Sequence, residues 1–279
     1  MPVKHEEAIE LKETGRDDFA GHDSHKSPEM RDFVTSLARG LGVIRAFDLQ
    51  HPEMTLTQVA KRTGLTRAGA RRFLLTLAEL GYVKKDQRLF SLTPKILDLG
   101  YAFMASAPLS LSARPIVNWV TEQTGESCNM GVLDHDDMVN VAHTGPRGIV
   151  MVNVHVGARI PAAYTAVGRA ILANLHDAEL DAFMARVELK PLTSFSLTSK
   201  TALRTELMRI RSQGYAFVDR ELHEGMRTLG VPVFNNHGNV AAAVNITNHA
   251  VTVPKEKIIK DCLPALKQAA ADLQKLLTV

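Results

Sequence analysis

The sequence predicts an α+β fold: an N-terminal winged helix-turn-helix, a linker helix, and a C-terminal domain with a central antiparallel sheet. Three observations predict it. Apolar residues recur at helical spacing over residues 32–80, interrupted by two capping signals and a glycine-containing turn. Beyond residue 108 the pattern alternates between period-two and helical segments. Charge is segregated: residues 31–95 carry 12 Lys/Arg and 5 Asp/Glu, a net +7, whereas residues 96–279 carry 17 of each.

Residues 1–30 are polar and short of large apolar side chains, so they cannot bury enough surface to offset the entropy of ordering, and they read as a flexible tail. Residues 31–93 form the first domain. Val34, Leu37, Leu41 and Ile44 mark one face of a first amphipathic helix, and His51-Pro52 interrupts it. Thr55 to Gln58 has the form of a capping box, followed by a helix burying Leu56, Val59 and Ala60 and stopping at Gly64. Thr66 can cap the next helix, whose stripe is Ala70, Phe73, Leu74, Leu77 and Leu80, with Gly81 as its terminator. Tyr82–Ser91 alternates around a polar tip and predicts a two-stranded wing.

That layout assigns roles. A recognition helix enters the major groove by its N-terminal half, here Arg67, Ala68, Arg71 and Arg72 with Thr66 at its start. Arginine reaches guanine edges bidentately or clamps phosphates. Thr57, Lys61 and Arg62 on the preceding helix, and Lys84, Lys85 and Arg88 in the wing, are expected phosphate contacts. The competing reading is an arginine-rich face turned to water.

Residues 94–107 read as the linker helix. Ile96, Leu97, Leu99, Tyr101, Phe103 and Met104 put apolar side chains on more than one side, as expected of a helix packed against its own domain and a second subunit. Residues 108–279 form the C-terminal domain. A helix over Leu111–Gln123 turns Ile116, Trp119 and Val120 inward. Strands are expected at Glu126–Leu133, Met138–Ala142, Ile149–Val156, Tyr215–Asp219, Gly230–Phe234 and Val240–Thr247, with a hairpin turn at Asn236–Asn239. A turn over residues 157–164 leads into a helix starting near Thr165, and further helices follow at Asp177–Arg186, Lys200–Gln213 and Lys255–Leu277.

Several chemistries are disfavoured. No run of 18 apolar residues suggests a membrane span, and the N-terminus has no apolar signal region. The two cysteines, Cys128 and Cys262, fit no metal or redox spacing and suit a cytoplasmic chain. Asp219, Glu221 and His223 alternate but lack a further spacing-fixed ligand, so no metal is expected, and no cofactor motif is present. Two alternatives to a ligand-responsive DNA binder stay open: a small-molecule enzyme with a basic oligomerisation segment, and an architectural DNA binder that answers to no ligand.

The segments SLARGLGVIRAF, LTQVAKRTGLTRAGARRFLLTLAELGYV, IPAAYTAVGRAILANL and GYAFVDRELHEGMRTLGVPVFNNHGNVAAAVNIT resemble the IclR family of bacterial transcriptional regulators over residues 34–279. Their detailed form is similar to the subgroup governing aromatic-acid degradation, which includes protocatechuate and 4-hydroxybenzoate regulators. The resemblance implies a GAF-like effector-binding domain and a chain that is not an enzyme. It implies binding to operator DNA as a homodimer, further pairing to a homotetramer, and contact with RNA polymerase. It also implies a small carboxylic-acid effector, aromatic in the subgroup and a keto or hydroxy acid elsewhere in the family. Tyr164, Thr165, Ala166 and Val167 match the helix start that wraps the effector carboxylate, where free N–H groups suit an anion. Thr228, Asn245 and Thr247 match the far wall, with Met130 and Leu133 as apolar wall and Asp219 as a further contact beside Val218.

Overall fold

The computed structural model describes residues 33–106, 108–145 and 155–277. The tail expected over residues 1–30 and nearly all of the strand expected over Ile149–Val156 lie outside these; His155 and Val156, which lie inside, carry no strand. The chain divides into two compact units between Phe103 and Met104, within the expected linker.

The first unit runs α1 (Thr35–Arg45), β1 (Glu53–Thr55), α2 (Leu56–Thr63), α3 (Arg67–Glu79), β2 (Val83–Asp86) and β3 (Leu89–Leu92). A short 3-10 turn, Pro94–Ile96, leads into α4 (Leu97–Ser106). The capping box is present: Thr55 N–H donates to Gln58 Oε1 at 2.8 Å and Gln58 N–H to Thr55 Oγ1 at 3.4 Å. Gly64 takes the left-handed conformation, φ 67°, that closes α2. Gly69 N–H donates to Thr66 Oγ1 at 3.1 Å, starting α3. At its end Tyr82 N–H reaches Leu77 O and Gly81 N–H reaches Ala78 O, a Schellman closure that needs the positive φ of Gly81.

Several expectations change here. Glu53–Thr55, read as loop and cap, is a strand that pairs with β3 and completes a three-stranded wing sheet in the order β1-β3-β2. The expected stripe is split: Val34, Leu37 and Leu41 are exposed, Ile44 packs half-buried against the core, and Val43 and Ala46 join that core. Helical spacing identifies a stripe but not which body covers it. Leu80, the C-cap of α3, is also exposed because the helix has ended there. The core is Val43, Met54, Val59, Ala70, Leu74, Leu77, Val83 and Phe90 with their half-buried neighbours. Each large side chain buried there contributes about 1.5–3 kcal/mol. On α4 Leu97, Leu99, Tyr101 and Phe103 are exposed, and Ile96 of the preceding turn is half-buried.

The second unit runs α5 (Pro108–Thr124), β4 (Ser127–Asp134), β5 (Asp137–Thr144), β6 (Arg159–Pro161), α6 (Ala166–Leu172), α7 (Asp177–Arg186), α8 (Lys200–Gln213), β7 (Ala216–Asp219), β8 (Met226–Phe234), β9 (Val240–His249) and α9 (Lys255–Leu276). The strands form one antiparallel sheet in the order β6-β5-β4-β9-β8-β7. One face is covered by α5 and α9, burying Val117, Val120, Met130, Ile246 and Leu266. Over the other face α6 packs on β8 and β9, in a core with Val167, Phe183, Leu203 and Ile210.

Arg159–Pro161, expected as turn, pairs with Asp137–Val139 as the edge strand. β8 begins at Met226, earlier than expected, because Arg227 sits opposite Asp219 in register and the polar pair disguises the strand.

Candidate functional site

The first unit presents a basic surface. Arg67, Ala68, Arg71 and Arg72 are exposed along the first half of α3, opposite the buried Ala70, Leu74 and Leu77. Thr57 and Lys61 on α2 and Lys84, Lys85 and Arg88 around the wing tip are exposed as well. Arg62 is not part of this surface. Its guanidinium donates to Asp48 and to the Ala46 carbonyl, tying α2 to the end of α1. The Thr66 hydroxyl already serves the helix as its cap.

The second unit holds a cavity between the start of α6 and the sheet, of about 460 Å³ counting its open mouth. Tyr164, Thr165, Ala166, Val167, Thr228, Asn245 and Thr247, all expected at the site, line it. Register explains their convergence. Thr228 is opposite Thr247, and Asn245 lies between Gly230 and Asn129 on its two neighbouring strands. Direct partners share a face of the sheet. Gly230 lets helix α6 approach that face closely, and Gly168 lets the helix start fold tightly on the turn before it. A Cβ on Gly168 would fall 2.2 Å from the Ala162 carbonyl oxygen, and one on Gly230 would fall 3.0 Å from the Ala166 backbone. Thr165 caps α6 by accepting from Gly168 N–H at 2.9 Å. Ala166 and Val167, the first helical residues, carry N–H groups without intrahelical acceptors.

Three expected residues lie elsewhere. Met130 is fully buried on the opposite face, against α5 and α9, because it is one residue from Asn129 and the pleat turns it away. Leu133 shares the face of Asn129 but sits four residues along β4, outside the lining. Asp219 accepts from Arg227 Nε at 2.8 Å and Arg220 Nε at 2.9 Å and does not line the cavity, whereas its neighbour Val218 does. Burial pushes the Asp219 carboxyl up, but the hydrogen bonds and charges of Arg227 and Arg220 outweigh it and hold it below the usual value.

Other lining residues escape a sequence reading: Asn129, Met138, Ile160, Leu222, Met226 and Glu221. The Glu221 carboxylate is held by Arg169 through two hydrogen bonds of 2.6 Å and by Leu197 N–H at 2.9 Å. Arg169 is 1% exposed and also donates to the Ala163 carbonyl. The signal was present: a lone arginine inside the small apolar run TAVGRAILANL. Polar chemistry in the cavity is incomplete. Asn245 donates through Nδ2 to the Ile246 carbonyl at 3.3 Å, while its Oδ1 is buried with no donor among the described residues. The thiol of Cys128, across the sheet, is pushed well above its usual range by burial and is no nucleophile.

A basic helix-turn-helix with a wing in one unit and a lined cavity in the other define a DNA-binding transcriptional regulator with an effector-binding domain. Residues 36–87 match the IclR helix-turn-helix domain and residues 101–275 the bacterial transcriptional regulator IclR C-terminal domain. The chain belongs to the IclR family. It is 39% identical over 243 residues to the Pca regulon regulatory protein of Pseudomonas putida, covering 87% of this chain and 84% of that one. A transcriptional regulator from Rhodococcus sp. RHA1 shares its structure with a TM-score of 0.80 at 40% identity, covering 88% of this chain and 98% of that one. The inducer-binding domain of the PobR transcription factor from Acinetobacter, solved as a double mutant with 3-hydroxybenzoic acid, matches with a TM-score of 0.54 at 28% identity, over 58% of this chain and 95% of that one. Among the described residues no helix is long and apolar enough to cross a membrane.

Proposed function

We propose that the cavity of the second unit takes a small aromatic carboxylic acid and that its occupancy sets operator binding, so that the chain governs an aromatic-compound catabolic operon from the cytoplasm. The observation that carries this reading is the lining itself: apolar walls from Val167, Ile160 and Met138 around the unsatisfied buried oxygen of Asn245. A buried acceptor without a donor costs about 1–3 kcal/mol, which a ligand donor recovers. A carboxylate only accepts. It suits the Thr228 and Thr247 hydroxyls and the opening turn of α6 at Thr165–Val167. The 3-hydroxybenzoic acid held by the Acinetobacter PobR domain supports the aromatic class.

Thr57, Arg67, Ala68, Arg71, Arg72, Lys84 and Arg88 are the DNA contacts in this reading, on an operator bound by two copies. The exposed apolar residues of α1 and α4 serve the homodimer, effector domains pair the dimers, and RNA polymerase is a further partner at the promoter. A thermal-shift panel of hydroxybenzoates, protocatechuate and small keto acids tests the effector class. Saturable stabilisation by an aromatic acid, weakened by Thr228→Ala, is expected. A response to keto acids alone replaces the aromatic class with that one, and no response to any acid removes the cavity as an effector site.

A further inference from the structure

The transverse row of the sheet that crosses the cavity floor does not end at the cavity. Asn245 is directly opposite Asn129, and Asn129 is directly opposite His143 on β5. Both asparagines line the cavity and are buried, whereas His143 is outside the lining and exposed. Its Nδ1 lies 2.6 Å from Asn129 Oδ1. An amide oxygen can only accept, so in this arrangement His143 Nδ1–H donates. That bond fixes which end of the Asn129 amide is spent, leaving its Nδ2 as the donor end. Asn245 is oriented the opposite way. Its Nδ2 is used on the Ile246 carbonyl, leaving Oδ1 as a buried acceptor.

We infer that His143 is a positioning residue for effector selectivity: it orients Asn129 so that the Asn129–Asn245 pair offers one donor and one acceptor side by side, a site for a ligand hydroxyl. The inference rests on the reading of this cavity as the effector site. A hydroxyl both donates and accepts at one oxygen. A carboxylate or an ether oxygen cannot donate to Asn245, and a bare ring edge satisfies neither amide. The preferred ligand is therefore an aromatic acid bearing a ring hydroxyl, with its carboxylate away from the asparagines. Without His143 the Asn129 amide is free to turn its oxygen inward, placing two acceptors together and erasing the preference.

The test is titration of the full chain with benzoate, 3-hydroxybenzoate, 4-hydroxybenzoate and 4-methoxybenzoate, followed calorimetrically. Wild type is expected to bind the better hydroxybenzoate about tenfold or more tightly than benzoate, the worth of a well-made hydrogen bond in a desolvated site. The methoxy compound, which accepts but cannot donate, gains nothing over benzoate. Asn245→Ala brings the hydroxy preference close to unity; His143→Leu does the same with benzoate affinity little changed, and His143→Asn, which keeps a donor, restores it. A purely structural histidine would lower affinity for all four acids together. Equal binding of benzoate and both hydroxybenzoates by wild type overturns the inference, as does a full hydroxy preference in His143→Leu. Either result leaves the cavity as an effector site. If none of the four acids binds, the aromatic reading of the cavity falls and the inference falls with it.

Discussion

The Arg169 guanidinium meets the Glu221 carboxylate fork to fork, with both nitrogen–oxygen distances 2.6 Å and the two residues 52 positions apart. The pair ties α6 to the loop after β7, beside the cavity that Glu221 helps to line. Outside the pair each charge keeps one neutral partner, the Ala163 carbonyl for Arg169 and the Leu197 N–H for Glu221, so removing one member strands the charge of the other. Arg169→Met or Glu221→Leu alone is expected to cost about 3–5 kcal/mol of stability in urea unfolding. The double variant recovers part of that loss. Recovery is incomplete because the Leu197 N–H and the Ala163 carbonyl then lose their partners too. Additive losses in the double variant would show that the pair is not coupled.

Asp219 has a different part from the one its sequence position implies. It anchors Arg227 and Arg220, and Arg220 lies over the Phe195 ring at 3.8 Å. Its carboxyl is held below the ordinary 3.8, so the folded state favours the ionised form. The associated stability is present above that ordinary value and lost as pH falls through the lower folded value. Asp219→Asn is therefore less stable than wild type at neutral pH, and the difference closes in strong acid. Acid-effector affinity at neutral pH stays near wild type in Asp219→Asn but drops in Thr228→Ala. Measuring Tm from pH 7 down to about pH 3 checks the first half, and ligand titration checks the second.

On the DNA side the structure separates arginines that sequence alone treats alike. Arg67 and Arg71 are exposed at the start of α3, whereas Arg62 is spent on Asp48 and Ala46. Arg67→Ala with Arg71→Ala is expected to weaken operator binding and to flatten its salt dependence by about 0.9 in slope for each phosphate that is no longer neutralised. Any base contact among them adds about 1–3 kcal/mol of lost discrimination. Arg62→Ala lowers the unfolding midpoint of the first unit and leaves the salt slope of the folded protein unchanged. Salt-titrated operator binding beside thermal melts tells the two classes apart. An unchanged slope in the Arg67/Arg71 double variant removes α3 as the recognition helix.

Which features are legible in the sequence follows from how local their physics is. Caps, terminating glycines and helix lengths are written in a few adjacent residues, and Thr55, Thr66, Gly64 and Gly81 all sit where the sequence puts them. The cavity lining on α6, β8 and β9 is legible because motif and strand alternation agree there. Met130 is not, since choosing between faces needs the register against Val244 that only the assembled sheet supplies. The Arg169–Glu221 pair and the His143–Asn129 hydrogen bond join residues 52 and 14 apart, with no local pattern to announce them. The sequence marks Leu37 and Leu41 as one helix face without saying what covers it, because the periodicity of a face between copies and of a core face is the same.

That ambiguity becomes a prediction about assembly. Leu37 is 63% exposed on α1, and Tyr101 and Phe103 on α4 are 64% and 51% exposed. Large apolar side chains scattered singly on a surface need no explanation, but here α1 and the two residues before it add Leu41, Phe33 and Val34, and α4 adds Leu97 and Leu99. A second copy covering these faces would remove them from water and contribute about 25 cal/mol for each Å² of apolar area buried. A charge placed there stays solvated in the monomer and is desolvated unpaired in the dimer, so it selects against association alone. Leu37→Glu and Tyr101→Asp are expected to shift the oligomer toward smaller species in sedimentation experiments. Operator affinity falls with them, because two half-sites are then bound independently, while melting of the C-terminal unit is unaffected. If both variants sediment as wild type does, the α1 and α4 faces are not the contact between copies.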